Sequence, residues 1–241
     1  MTWLAGVDGC PGGWIVAFLR PEGDEARIAV MSRFADVLAA EEAPAVVAVD
    51  VPIGLPERAG PGGRAAENAV RPLLGARQSS VFSVPSRAAV YAASYPDACQ
   101  VALKTSDPPR RVSKQLFMLA PKIREVDAVL RAEPRPAARV FEVHPEVAFW
   151  RLNGERALDQ PKKIKGTCHG PGRVQRRGLL AAAGLPPAAV AALPPKGAGP
   201  DDLLDALACA AIARRIHRAV ACPFPGDVPR DSFGLPMAIW A

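Results

Sequence analysis

Two apolar runs, residues 3–7 and 45–49, each stop on an aspartate, Asp8 and Asp50, and no other feature constrains the fold as much. The second run, Ala-Val-Val-Ala-Val, is continuous rather than alternating, which suits a strand buried on both faces of a sheet. Between the two lie a Gly- and Pro-rich turn at 9–13, a second apolar run at 14–19, a turn at 21–24 and a third strand candidate at 26–31. Ser32 is placed to cap a helix over about 34–40. In an open α/β sheet, groups at the carboxyl ends of adjacent central strands project into one crevice, where ligands commonly bind. Two strands ending in Asp therefore predict paired carboxylates.

An antiparallel meander of three strands, a helix and a parallel central strand begin the pattern of an RNase H-like domain. The next helix comes from apolar residues at helical spacing, Leu116, Leu119, Ile123, Val126 and Leu130, and residues 138–143 supply the next strand. A short helix is expected over 64–74, another over 145–152 and Pro-rich helical pieces over 174–193. A last long helix follows Gly199-Pro200, with Asp201 as its N-cap, and runs to about Val220. The predicted fold class is α/β, an RNase H-like mixed five-stranded sheet with flanking helices. It forms a single domain over 1–241 with two insertions, at about 52–112 and 145–198.

Hydrophobic residues at 49% and charged residues at 22% exclude wholesale disorder. The start, MTWLAGVDG, lacks a basic region and a long apolar core, and the most apolar helix candidate meets Arg214 too soon to span a bilayer. A cytoplasmic protein with no membrane partner is expected. Five cysteines, Cys10, Cys99, Cys168, Cys209 and Cys222, without a CxxC pair argue against a disulfide framework and a zinc ribbon. The net charge of +6 suits a nucleic-acid partner if it clusters, though a coding bias toward Arg, Ala, Gly and Pro gives the same balance. The oligomeric state is not legible.

The candidate chemistry lies in the acids. Glu142 interrupts the apolar run 139–143 and, if buried, needs either a salt bridge or a metal. Asp202 and Asp205 lie three apart on one face of the last helix. Capping explains Asp202, whereas Asp205 precedes the apolar 206–210 and, buried there, wants a cation. Clustered carboxylates are hard-oxygen ligands that favour Mg²⁺ or Mn²⁺. Two such ions would serve phosphodiester cleavage. His144 and Glu146 are a proton-transfer group beside Glu142, or a capping pair. His169, beside Cys168, has no spaced ligands for zinc and is expected to be exposed; Lys162, Lys163 and Lys165 form a basic loop, and Gly12-Gly13 reads as a hairpin rather than a phosphate cradle.

The segments Gly6-Val7-Asp8-Gly9-Cys10-Pro11-Gly12-Gly13-Trp14 and Asp50-Val51-Pro52-Ile53-Gly54-Leu55-Pro56 resemble the predicted RNase H-like nuclease family catalogued as domain of unknown function 429. Residues 74–82, 113–115, 122–127, 142–146, 202–208 and 231–237 agree with it, so the resemblance covers nearly the whole chain. The final helix is similar to that of RuvC-type Holliday-junction resolvases, which carry paired Asp residues before a like Ala-Leu-Ala segment. These resemblances imply a metal-dependent nuclease with Asp8, Asp50, Asp202 and Asp205 as ligands, and Glu142 and His144 beside them. They further imply Arg77, Ser79, Ser80, Arg87, Lys114 and Lys122 as phosphate-binding residues. Glu67 departs from the family's Asp between two Arg residues, and an ion pair with Arg64 or Arg71 accounts for it. Two other classes stay open: a non-catalytic nucleic-acid or protein-binding module, and a nucleotide-binding phosphotransferase, which would need a duplicated domain and a second phosphate loop that the sequence lacks.

Overall fold

The computed structural model describes residues 2–132, 138–164 and 167–241. A five-stranded mixed sheet is built from β1 (Leu4–Cys10), β2 (Gly13–Leu19), β3 (Ala26–Met31), β4 (Val46–Val49) and β5 (Val140–Glu142), in the order β3-β2-β1-β4-β5. The β1-β2 and β2-β3 pairs are antiparallel, while β1-β4 and β4-β5 are parallel. This is the RNase H-like arrangement, and the central strands β1 and β4 are the two that run into Asp8 and Asp50. Gly13 has φ of 123° in the hairpin turn, and an added Cβ would meet the Met31 carbonyl oxygen at 2.3 Å. The Gly12-Gly13 pair is thus built into the hairpin.

Alternation along the strands sends side chains to two apolar layers. Val7, Val16, Val47 and Val49 pack with α1 (Phe34–Leu38) and with Leu116, Ile123 and Val126 of α5 (Lys114–Ala132). Leu4, Ile15, Ala17 and Ala48 face the other way, onto the last helix (Pro200–His217). That helix is buried from Leu203 through Arg214, as expected of a run apolar on every side. It lies directly on β1. A Cβ added at Gly6 would fall 2.0 Å from the Ala210 nitrogen and 2.1 Å from the Ala206 carbonyl oxygen, so only glycine permits this approach.

The connection after β4 holds α2 (Ala65–Val70), a 3₁₀ stretch (Arg71–Ser80), α3 (Arg87–Val90) and α4 (Tyr95–Lys104). The helix expected over 64–74 is therefore shorter, and the 3₁₀ stretch is kinked at Gly75, where φ is 51°. After β5 come α6 (Pro145–Leu152), the small β6 (Lys163–Ile164) and β7 (Thr167–Cys168), α7 (Gly170–Ala182) and α8 (Pro187–Ala191). The Pro200–His217 helix is then α9, and β8 (Pro223–Phe224) pairs with β9 (Ile239–Trp240). Two caps differ from expectation. Arg33 rather than Ser32 precedes α1, without a side-chain cap bond, and Gly199 rather than Asp201 precedes α9, because Pro200 takes the first helical position. Cys10, Cys99, Cys209 and Cys222 are free thiols, Lys165 lies outside the described residues, and no described helix is long and apolar enough to cross a membrane.

Candidate functional site

Parallel pairing sets Val7 opposite Val49, and the Asp50 amide donates to the Val7 carbonyl at 2.9 Å. Asp8 and Asp50 consequently leave adjacent strands on the α9 face, the same side as Gly6 and Ala48. Asp205 reaches them from α9, one turn before the buried Cys209. Asp8 and Asp205 are buried, and Asp50 sits partly exposed at the mouth.

Burial, then the neighbouring Asp50 and Asp205 carboxylates, hold Asp8 well above the ordinary aspartate range. Burial and Asp205 push Asp50 up to about 8. Burial also raises Asp205, opposed by Lys162, whose ammonium bonds to the Asp205 carboxylate and is itself raised by that contact. Among the described residues the Lys162 ammonium acts on all three acids, and the Arg176 guanidinium adds its field on Asp205. Asp202 is half-buried at the helix start, where its carboxylate accepts from the Gly199 amide at 2.8 Å, so it is a cap that adds to the field on Asp8.

Glu142 stands apart. It is in register with Val49 and Val7, so it leaves the sheet on the α5 face, opposite Asp8 and Asp50. There Arg64 grips it with two bonds of 2.5 and 3.0 Å, and the Ile53 amide donates to it at 2.7 Å. The same guanidinium holds Glu67 at 2.6 and 2.9 Å and donates to the Ile53 and Gly54 carbonyls. Burial pushes the Glu142 carboxyl up to about 7 even with Arg64 pulling it down. This buried Glu-Arg-Glu set fixes the loop that follows Asp50. Of the two outcomes open to a buried Glu142, the structure displays the salt bridge.

A cavity of about 220 Å³ opens at the strand ends, with Asp8, Asp50, Glu142 and His144 on its polar side and Phe82, Leu116 and Leu119 on its apolar side. The His144 Nε2 faces the Ser80 carbonyl at 3.2 Å and so carries the proton. Its Nδ1 is buried without a partner among the described residues, and burial lowers the imidazole's pKa, leaving a neutral ring with an idle acceptor.

The expected phosphate ligands divide. Ser79 and Ser80 are exposed, and Ser80 lines the cavity; Lys114 is exposed beside the Tyr95 ring; Arg77 reaches the Asp159 carbonyl at 3.4 Å. Arg87 and Lys122 are structural. Arg87 pairs with Asp127 and Asp231, and Lys122 bonds to the Gly13 carbonyl with its ammonium 4.2 Å from the Trp14 ring centre. Glu146 is held by Arg176, and His169 precedes α7, half-buried instead of exposed. The familiar tail at 231–237 has a physical use: Asp231 accepts from the Leu55 amide at 3.0 Å and pins the loop after Asp50. The role of Lys162 had no sequence signal, because it sits in a loop, joined to Asp205 only through the fold.

A family model described as "Protein of unknown function (DUF429)" matches residues 6–230. The chain belongs to this DUF429 family. No curated protein matches it, and no solved structure does. In this DUF429 chain the described residues hold no ready-made group of three His, Cys, Asp or Glu side chains disposed round a metal position. The acids that come together do so with Lys162 among them.

Proposed function

We propose that this DUF429 chain is a metal-dependent phosphodiester hydrolase of nucleic acid, with Asp8, Asp50 and Asp205 holding Mg²⁺ or Mn²⁺. One observation carries the reading: two buried carboxylates, Asp8 and Asp205, and the partly exposed Asp50 converge on one sheet face, and among the described residues Lys162 is the ammonium that acts on all three. The donor set fits a hard divalent ion, which supplies the positive charge these acids lack. Bound there, such an ion would activate a water and stabilise the leaving oxygen. Asp202 lies within the field of the group as an outer partner. Lys162 neutralises Asp205 when no ion is present, and Glu142 keeps the loop after Asp50 in place through Arg64. His144, neutral and with Nδ1 idle, is positioned to accept a proton at the cavity.

The test is cleavage of single strands, duplexes, hybrids and branched junctions in Mg²⁺ or Mn²⁺. Asp8→Asn is expected to lower the rate by at least about 100-fold. Cleavage undiminished in that variant assigns the activity elsewhere and overturns the reading. The Lys162-Asp205 and Arg64-Glu142 contacts favour one competitor, a module that keeps the fold without catalysis. Calorimetry with Mn²⁺ separates the two, since the module binds no ion at Asp50 and Asp50→Asn changes nothing.

A further inference from the structure

Beside the carboxylate cavity lies a second one, of about 280 Å³, and the two share a wall made of Val81, Phe82 and Val84. Its far side carries Arg110 and Arg111, both exposed. Most arginines of this chain are engaged: Arg20, Arg64, Arg87, Arg131 and Arg176 are in ion pairs. Neither Arg110 nor Arg111 has a side-chain hydrogen bond or a carboxylate partner among the described residues; Arg111 acts through its field on the Tyr95 hydroxyl. Asp107, three residues before Arg110, pairs with neither. The cleft also sits at the start of the long helix α5, where Ser113 accepts from the Leu116 amide, so the helix dipole adds to the positive potential. Serines around the cleft are partly used: Ser86 bonds to Thr105, Ser106 donates to the Ala102 carbonyl, and Ser83 accepts from Arg71 while keeping its own hydrogen to donate. The free charge of the cleft is therefore cationic.

The shared wall is held firmly. Arg71 donates to the Val81 carbonyl at 3.2 Å and to the Ser83 hydroxyl at 3.0 Å, which fixes the strip on which Phe82 stands. Phe82 is 38% exposed, a large apolar ring left at the divide between an acidic cavity and a basic one. Aromatic platforms beside cationic grooves are how proteins hold single-stranded nucleic acid.

We infer that the Arg110-Arg111 cleft is a docking site for backbone phosphate of a single nucleic-acid strand, with a base stacked on Phe82 and the strand continuing to the carboxylates. The continuation rests on the hydrolase reading, whereas the docking site does not. The experiment is fluorescence anisotropy of a labelled single-stranded dodecamer in EDTA, over a series of salt concentrations. Arg110→Gln with Arg111→Gln is expected to weaken binding about tenfold and to shrink the salt slope by about 1.4, the value for two phosphates of a single strand. The Lys pair at the same positions should restore the slope. Phe82→Ala should weaken binding about tenfold with the slope unchanged. A control with Arg20→Gln and Arg218→Gln, at the opposite end of the sheet, should leave affinity near wild type.

Binding unaltered by the Arg110/Arg111 changes, equal loss in the control, or a mononucleotide held as tightly as the dodecamer each overturns the inference. So does a wild-type chain that binds no strand. Because EDTA removes any metal, the two readings fail separately. A chain that binds through these arginines yet cleaves nothing in Mn²⁺ sinks the hydrolase and keeps the cleft.

Discussion

Two groups of acids gather at the carboxyl ends of the parallel strands, on opposite faces of the sheet. On the α5 face Glu142 and Glu67 close on Arg64, and the guanidinium spends every nitrogen on a carboxylate or a carbonyl. On the α9 face Asp8, Asp50 and Asp205 share Lys162 among the described residues, with Arg176 acting on Asp205 only through its field, and their carboxyl groups are held high by burial and by neighbouring carboxylates. The difference is one of completeness. A satisfied ion set stiffens a loop, while an under-balanced one keeps a standing demand for positive charge.

The comparison breaks most severely if Arg64 is removed. Arg64→Met should destabilise the protein by roughly 3–5 kcal/mol in chemical denaturation, because two buried carboxylates lose their counter-charge. An effect under about 1 kcal/mol would place Arg64 among ordinary surface pairs and erase the contrast. The α9 face behaves oppositely in pH. An acid whose folded pKa is raised above its unfolded value favours folding when protonated, so stability is full below about pH 4 and is lost as pH rises through the folded value, about 8 for Asp50. Metal-free protein should therefore melt roughly 5 °C lower at pH 8 than at pH 5, and Asp50→Asn should flatten that profile. A wild-type profile that climbs with pH over this range contradicts the charge reading. Smallest is the effect of Lys162→Gln, which frees Asp205: Mn²⁺ affinity by calorimetry should rise about three- to tenfold, near 1 kcal/mol. Weaker binding would make Lys162 a helper of the ion rather than its stand-in.

The strand ends were readable because Asp8 and Asp50 each close an apolar run, and a parallel sheet brings such ends together. Asp205 was readable because it opens a buried helix. Glu142 was harder. Its parity relative to Val49 decides which face it takes, and that depends on a register between strands that are about ninety residues apart in the chain. Arg87 shows the same limit, since its partners Asp127 and Asp231 are 40 and 144 residues away and leave no local trace. Lys122 followed the family motif rather than its surroundings, which are the Gly9-to-Trp14 turn on a different element. Helix ends moved by a few residues where Pro200 and Gly75 set the backbone.

The contact between Gly6 and Ala210 joins the first strand to the last long helix, so Asp8 waits for a residue made some two hundred positions later. During synthesis the early strands leave the ribosome first, and α9 follows long after them. The acidic group on that face can assemble only after α9 has been made. Any break that detaches α9 therefore takes Asp205 out of the group and uncovers Gly6 in the same event.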